Sequence, residues 1–407
     1  MIKMNICCLT RLTLAHDAKG GMEIHIKTLS EGLVREGHEV KIITTAHPQG
    51  IGHEINNGVE TYYCKGTKPG QYSDGWGKAS LTLLLKLHNH NSFDVVWGEG
   101  GGAFYYIRRL RKTLKIPVVT ILQGSFFADL HSQLTEIKSN KNLILLFAKQ
   151  FPNRVFNYLT RDLYFAGRAD AVIGSSKECA RLAQYEYFLN KKKITASVNG
   201  IDIRHFRPLE SKPKEIIESL EIPSDALIVL TASRLIRGKG IHILIRAMSS
   251  VLNAFPSTFL LVAGVGPAEK SLQRLAVNLG IKSRVIFPGY IPNEKLIKYY
   301  NSCDVFVYPT LLYESFGISV AEAMACGKTV IAAKSGGIST SIDHSLNGYL
   351  YRAHRQQNLE KLMIKVLNDR QLRRVIGNAA RAKAVDCLSS DRMIKDAIGV
   401  FKNVCQN

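Results

Sequence analysis

The sequence predicts an α/β protein built from two Rossmann-like, doubly wound domains. Its 407 residues exceed the roughly 250–300 at which a single hydrophobic core stops growing. Short apolar runs typical of parallel strands alternate with amphipathic helical patterns, and the alternation starts again near residue 227. We therefore place one domain at residues 1–206 and a second at residues 207–388.

The first domain opens with a clear βαβ pattern. A strand is predicted at 6–9, a Gly20-Gly21 loop follows, and a helix is expected at 22–36, where Gly37 ends it. Later strands of the same domain are predicted at 40–44, 95–97, 118–121 and 171–174.

The second domain repeats the pattern after a polar connection. Residues 199–208 and the polar stretch 210–218 are interpreted as the linker. The segment 389–404 has the periodicity of an amphipathic helix with Ser389 or Ser390 as N-cap, and we expect residues 389–407 to pack back on the first domain. Strands of the second domain are predicted at 227–232, 259–263, 285–287, 305–308 and 330–333.

The composition narrows the class of protein. No apolar stretch reaches the roughly 18 residues of a membrane span, and the N-terminus has no leader pattern, so we expect a cytosolic chain. Eight scattered cysteines without a CxxC pair favour reduced thiols over disulfides or a zinc site. The net charge of +21 divides almost evenly between the halves, which argues against a dedicated nucleic-acid module and leaves a solvated basic surface or an anionic partner.

Two cations mark a candidate ligand loop in the second domain. Arg234 and Lys239 follow a predicted strand and precede a helix predicted at 241–252. Ligands of doubly wound sheets bind beyond the carboxyl ends of the strands. A guanidinium fork and a compact ammonium group suit a diphosphate, although either residue alone would be ordinary surface charge.

A second segment, 313–327, supplies carboxylates and a helix start. Glu314 lies in a loop after a strand, and Glu322 lies on a helix that is expected to start near Gly317 and stop at Gly327. Unpaired amides at that start would form a phosphate cradle. Carboxylates repel phosphate, so hydroxyls of ribose and hexose are their expected partners. The structural alternative is a Glu314 that accepts loop amides and an exposed Glu322.

These motifs resemble those of the family 4 retaining glycosyltransferases, also called glycosyl transferases group 1, whose fold is GT-B. The E-x7-E pattern of that family is matched by Glu314 and Glu322, and its cationic loop by Arg234 and Lys239. The other matching blocks occur in the family's order and cover nearly the whole chain: 20–23, 169–176, 199–202, 263–267, 287–292 and 335–338.

The resemblance implies a donor site for a nucleotide sugar. Arg234 and Lys239 would bind the diphosphate, Glu322 the ribose and Glu314 the sugar. The remaining donor-binding residues that it implies are Ser315, Phe316, the amides of Gly317 and Ile318, Tyr290 and Ile291 near the base, and Gly21 from the first domain.

It also implies an architecture and a cofactor requirement. The two domains would face a central cleft. No D-x-D motif occurs in the chain, in keeping with a family that needs no metal ion, so we expect no cofactor besides the donor substrate.

The sequence departs from the family at two positions. Gln123 stands where a histidine is common after the strand at 118–121, and Thr340 stands where glutamate is usual. Glutamine can bind a sugar hydroxyl but carries no positive charge. We assign Glu314 and Gln123 as the catalytic residues. In a front-face transfer the donor phosphate can itself take the acceptor proton, so the absence of the histidine need not abolish activity.

The acceptor side is less specific. Stretches 104–115 and 139–166 mix Arg and Lys with aromatic and aliphatic residues. This pattern is typical of an amphipathic helix packed on its own sheet with its cations outward, and the alternative is a helix on an anionic membrane face.

The implied reaction moves a hexose or N-acetylhexosamine from a UDP- or GDP-sugar to a hydroxyl acceptor, namely a glycan, a lipid-linked saccharide or a small molecule. Gln123 motivates a rival hypothesis, a non-catalytic nucleotide-sugar-binding partner protein. A dinucleotide oxidoreductase is disfavoured because no GxGxxG follows the first strand.

Overall fold

The computed structural model describes residues 3–16, 20–72, 75–136 and 151–406. Contacts divide the chain into two compact units. The first groups residues within 1–126, 143–200 and 390–407, and the second groups residues within 127–142 and 201–389.

The first unit contains an eight-stranded sheet in the order β3-β4-β2-β1-β5-β6-β7-β8. All neighbours pair in parallel except β3, which is antiparallel to β4. Every residue of β1, β5 and β6 is buried, as expected for parallel strands covered on both faces. The strands are β1 (Asn5–Leu9), β2 (Glu39–Thr44), β3 (His53–Asn56), β4 (Val59–Tyr63), β5 (Val95–Glu99), β6 (Val118–Leu122), β7 (Ala171–Gly174) and β8 (Ile194–Ala196).

Helices flank this sheet, and the C-terminal helix is one of them. Ser390–Gln406 packs against Gly21–Arg35, where a Cβ on Gly32 would lie 2.1 Å from Cδ1 of Ile394. The glycine therefore permits the close approach of the two helices. The α-helices of this unit are Gly21–Arg35, Trp76–His90, Phe104–Arg109, Arg111–Leu114, Phe151–Asn157, Leu163–Arg168, Lys177–Glu186 and Ser390–Gln406, and a further helix, Phe126–Glu136, follows β6.

The second unit is a six-stranded parallel sheet in the order β11-β10-β9-β12-β13-β14. Its strands are β9 (Leu227–Ala232), β10 (Thr258–Ala263), β11 (Val285–Gly289), β12 (Val305–Tyr308), β13 (Thr329–Ala333) and β14 (Tyr349–Tyr351). Its α-helices are Lys214–Ser219, Ile241–Ala254, Glu269–Asn278, Asn293–Ser302, Ile318–Ala325, Ile338–Ser341, Gln356–Asn368 and Arg370–Cys387.

The order of the second sheet places a candidate site. The chain runs outward from β9 to β10 and β11, then returns to start β12 on the other side of β9. Crevices form where the direction of strand order reverses in this way. The loops that follow β9 and β12 therefore meet at the switch point, and they carry Lys239 and Glu314.

The doubly wound fold class predicted from the sequence is confirmed in both units. Four strands were not predicted: β3, its partner β4, β8 and β14. The predicted linker is not wholly irregular, because residues 214–219 form a helix. The structure also groups Ile201–Phe206 with the second unit, where Arg381 donates to the backbone oxygens of Ile203 and Phe206.

The stretch 104–115 packs on its own unit, since Phe104, Tyr106 and Ile107 are buried in that core. Residues 139–150 of the second cationic stretch lie outside the described residues. Among the helices that the structure describes, none has the length and apolar content needed to cross a membrane.

Candidate active site

The loops after β9 and β12 touch each other closely. The amide of Leu311 donates to the oxygen of Gly238 at 2.7 Å. Gly240 has a φ of +67°, and a Cβ there would lie 1.9 Å from the oxygen of Pro309. Only glycine combines that left-handed backbone with so close an approach. The contact fixes the position of Lys239, which precedes Gly240.

Lys239 and Glu314 form an ion pair between these two loops. Nζ of Lys239 donates to Oε1 of Glu314 at 2.7 Å and to the hydroxyl of Tyr308 at 2.8 Å. The hydroxyl of Thr310 donates to the same Glu314 oxygen at 2.7 Å. The Lys239 and Glu314 side chains are 12% and 14% exposed, so the pair is largely buried but keeps some contact with solvent.

The groups around Lys239 keep its ammonium group charged. Burial by itself would lower the pKa of Lys239, but the Glu314 carboxylate and the Tyr308 oxygen outweigh it and raise the pKa above its ordinary value. Burial, followed by the nearby Glu314 charge, raises the pKa of Tyr308 to about 12. The site therefore presents an ammonium group and a neutral phenol at neutral pH.

The helix Ile318–Ala325 begins beside the pair. Its N-cap, Gly317, has a φ of +89°. The amides of Ile318 and Ser319 have no acceptor within the helix, as at any helix start, whereas the Val320 amide donates to the Gly317 oxygen at 3.0 Å. Phe316 is only 2% exposed and anchors the turn. The predicted cradle of Ser315, Gly317 and Ile318 thus lies directly after Glu314 in the chain.

A third loop, after β13, supports Glu314 through its backbone. The amide of Gly337 donates to the oxygen of Glu314 at 2.7 Å. Gly336 has a φ of +47°, and a Cβ there would lie 2.2 Å from the same oxygen. The Gly336-Gly337 pair therefore lets the chain approach and hold the Glu314 loop.

Glu322 is buried, so the alternative of an exposed helix residue is wrong. The residue is 4% exposed, and its carboxyl group accepts a hydrogen bond from the Tyr300 hydroxyl at 2.7 Å. Burial raises the pKa of Glu322 to about 7, although the Tyr300 hydrogen bond opposes the rise. A carboxyl group with that pKa exchanges between its two protonation states near neutral pH.

The loop after β10 completes this edge of the sheet. The amide of Leu235 donates to the oxygen of Val265 at 2.9 Å, and Gly264 has a φ of +125°. Arg234, on the same loop as Leu235, has an exposed side chain. Tyr290 is 47% exposed, whereas Ile291 is buried at 7%.

Two of the predicted site residues, Gly21 and Gln123, belong to the first unit. Gly21 is the first residue of its helix, and the Gly20 amide donates to Oε2 of Glu23 at 3.1 Å. Gln123 directly follows β6, and its Oε1 accepts a hydrogen bond from Nδ2 of Asn199 at 2.6 Å. The carboxamide of Gln123 is therefore held by Asn199, a residue that the sequence analysis assigned only to the linker.

Sequence reasoning missed Tyr308, Thr310 and Tyr300 as parts of the site. Tyr308 is the last residue of β12 and Thr310 lies in the loop between that strand and Glu314, so both could have been noted as sequence neighbours of the site, although not as its hydrogen-bond partners. Tyr300 lies on the helix Asn293–Ser302, and no local motif connects it to Glu322.

Comparison with known proteins agrees with this geometry. Residues 213–383 match the profile of the family described as Glycosyl transferases group 1, and residues 19–205 match that of Glycosyltransferase Family 4. The D-inositol 3-phosphate glycosyltransferase of Thermomonospora curvata is 30% identical over 378 residues, which are 89% of this chain and 86% of the relative.

Two solved structures resemble the whole chain. Sucrose-phosphate synthase from Thermosynechococcus elongatus aligns with a TM-score of 0.80 at 21% identity. The alignment covers 98% of this chain and 99% of the synthase chain. HepE from Anabaena, solved in complex with UDP and glucose, aligns with a TM-score of 0.74 at 21% identity. The alignment covers 98% of this chain and 100% of the HepE chain.

Proposed function

The chain belongs to the family 4 glycosyltransferases, which are GT-B enzymes, and from this premise we propose that it moves a hexose or N-acetylhexosamine from a UDP- or GDP-sugar to a hydroxyl acceptor with retention of the anomeric configuration. The single observation that carries the proposal is the ion pair between Lys239 and Glu314 at 2.7 Å. It combines a phosphate-binding cation with a hydroxyl-binding carboxylate in one place.

Lys239 has one donor left for the substrate. An ammonium group has three N–H bonds, and two of them are directed to Glu314 and the Tyr308 hydroxyl. We propose that the third is directed to the donor diphosphate. Arg234, which is exposed on the same loop, would supply the second cation, and the amides of Gly317 and Ile318 would add dipolar donors.

These fixed charges would stabilise the leaving diphosphate without a metal ion. As the bond between the sugar carbon and the phosphate oxygen breaks, negative charge grows on the diphosphate. Preorganised cations and amides lower the energy of that charge because they need no reorganisation. The absence of a D-x-D motif in the sequence supports the metal-independent form of the proposal.

Glu314 and Glu322 would hold the two sugars of the donor. Glu314 accepts from Lys239 and Thr310 through Oε1, and Oε2 would accept from a hydroxyl of the transferred sugar. Glu322 would bind the ribose, and Tyr290 with Ile291 would lie beside the base. The UDP in the HepE complex supports a uridine donor as the first to test.

Retention follows if the acceptor attacks from the face that the diphosphate leaves. The acceptor oxygen forms its bond to the anomeric carbon, the carbon–oxygen bond to phosphate breaks, and a phosphate oxygen takes the acceptor proton. Gln123 would bind a sugar hydroxyl with the carboxamide that Asn199 fixes, and Gly21 would give the diphosphate room to approach. No protein base is needed in this scheme.

The acceptor in this proposal carries a hydroxyl group and belongs to a glycan, a lipid-linked saccharide or a small molecule. The curated relative from Thermomonospora curvata is named for an inositol phosphate acceptor, which supports a small polar molecule. For lipid-linked acceptors the proposal includes peripheral contact with the anionic inner face of a membrane.

The test is a donor screen with product analysis. UDP- and GDP-sugars are incubated with the purified protein and a mixed acceptor panel, with and without a metal chelator. We expect release of one nucleotide, unchanged by chelation, and an NMR spectrum in which the product keeps the donor's anomeric configuration. An inverted product, or release that requires a divalent ion, contradicts the mechanism.

A further inference from the structure

We infer that a surface of the first unit, formed by Phe156, Leu159, Tyr185, Phe188 and the lysines 191 and 192, docks on an anionic lipid bilayer. This surface is called the aromatic–basic patch below. The inference extends the proposed function to the membrane that would present a lipid-linked acceptor, but lipid binding itself requires no turnover.

The patch exposes large apolar side chains. Phe188 is 83% exposed and Tyr185 is 73% exposed, the two highest values among the large hydrophobic residues of the described chain. Phe156 and Leu159 are 65% and 57% exposed. Isolated apolar side chains on a surface are ordinary, whereas apolar side chains that lie together mark an interaction site.

Direct contacts bring the two halves of the patch together. Tyr158, one residue before Leu159, donates from its hydroxyl to the backbone oxygen of Glu186, one residue after Tyr185. The rings of Tyr158 and Tyr187 lie 5.9 Å apart. The helical run that carries Phe156 and Leu159 is therefore packed against the end of the helix that carries Tyr185.

Cations lie close in sequence to the apolar residues of the patch. Lys191 and Lys192 are exposed three and four residues after Phe188, and Nζ of Lys193 donates to the oxygen of Gly167 at 2.5 Å. Arg181, exposed and four residues before Tyr185, lies on the same face of the helix Lys177–Glu186.

Carboxylates near the patch are few and mostly engaged. Residues 151–196 contain eight Lys or Arg and four Asp or Glu. Asp162 is paired with Arg161 at 2.7 Å, Asp170 with Arg111, and Glu186 is buried. The exposed charge is therefore positive.

This chemistry fits a bilayer with anionic headgroups. Aromatic side chains insert at the boundary between headgroups and acyl chains, and cations beside them pair with anionic lipid phosphates. A protein partner would need an apolar and acidic surface of matching shape, whereas a bilayer adapts to the patch.

The experiment is flotation of the full-length protein with vesicles of phosphatidylcholine alone or mixed with phosphatidylglycerol. We expect binding to the mixed vesicles, weakened about tenfold or more by Lys191→Glu/Lys192→Glu and by Tyr185→Ser/Phe188→Ser. The matched controls are Lys214→Glu/Lys361→Glu for charge and Ile55→Ser/Leu346→Ser for exposed apolar side chains, which should bind like the wild type.

Three results would overturn the inference. The first is that the wild type does not bind mixed vesicles, and the second is that the control and patch variants lose vesicle binding equally. The third is that the wild type is a dimer in solution and Tyr185→Ser/Phe188→Ser converts it to a monomer, because the patch would then bind a second copy of the chain. Nucleotide release from the donor, measured on the same samples, separates this outcome from failure of the proposed function. The patch variants should release nucleotide at the wild-type rate in the absence of vesicles.

Discussion

The hydroxyl of Tyr300 donates to Oε2 of Glu322 at 2.7 Å inside the second unit, where both side chains are buried. Burial raises the pKa of Glu322 to about 7, so this carboxyl group changes charge in the range in which enzymes are normally assayed. The pair therefore gives the proposed donor site a response to pH.

The first prediction concerns stability. Because the pKa of Glu322 is raised in the folded state, the folded protein holds a proton that the unfolded chain has lost between about pH 4.5 and about pH 7. Stability of the donor-free protein should fall as the pH rises through this window, by at most about 3 kcal/mol. Glu322→Gln keeps an acceptor for Tyr300 and should remove this dependence. Thermal unfolding of both proteins across the window checks it, and parallel pH profiles would count against the buried carboxyl.

The second prediction concerns Thr310, whose hydroxyl donates to Oε1 of Glu314 at 2.7 Å. Thr310→Val removes this hydrogen bond to a charged group without changing the side-chain volume much. A loss of about 1.5–3 kcal/mol corresponds to a fall in kcat of roughly tenfold to a hundredfold. Thr310→Ser restores the hydroxyl and should restore turnover. If Val and Ser variants turn over at the same rate, Thr310 does not position Glu314.

The third prediction concerns the contact between the loops after β9 and β12. Gly240→Ala would place its Cβ 1.9 Å from the oxygen of Pro309 and displace Lys239. Gly280 has a similar φ of +70° but open space around it, so Gly280→Ala isolates the cost of the left-handed backbone. That cost is about 1–2 kcal/mol. Chemical denaturation should show a clearly larger loss for Gly240→Ala, together with weaker donor binding; equal losses would mean that the contact adds nothing.

The fourth prediction concerns Arg381, which donates to the backbone oxygens of Ile203, Phe206 and Ala325. Arg381→Met leaves these partly buried acceptors without their donor and should destabilise the second unit by about 2–4 kcal/mol. Amide exchange in residues 201–206 should accelerate. Arg374→Met, on the same helix but exposed, is the matched control. Unchanged exchange in Arg381→Met would show that other contacts hold this segment.

Strands buried on both faces could be predicted because their sequences are continuous apolar runs. The strand β9 was predicted with its observed bounds, Leu227–Ala232, and so was β12 at Val305–Tyr308. The strand β3 was missed because His53–Asn56 is polar and largely exposed, so its identity depends on pairing with β4. The strand β14 has three residues, too few for a period to be recognised.

Part of the candidate site could likewise be predicted from the sequence, and part could not. Lys239 and Glu314 were singled out from motif spacing, and the structure brings them into contact. Their hydrogen bonds to Tyr308 and Thr310 could not be derived, because an apolar strand pattern does not indicate where a hydroxyl points. The hydrogen bond between Tyr300 and Glu322 likewise joins two helices that no local motif relates.

The central claim is that Lys239 and Glu314 form the donor site of a glycosyltransferase. The most direct measurement is nucleotide release from UDP- and GDP-sugars by the wild type, Lys239→Ala and Glu314→Gln, with donor binding followed on the same samples. We predict release by the wild type, weaker donor binding by Lys239→Ala, and a rate reduced about a hundredfold or more in Glu314→Gln although it still binds donor. Wild-type rates and affinities in both variants would contradict the claim.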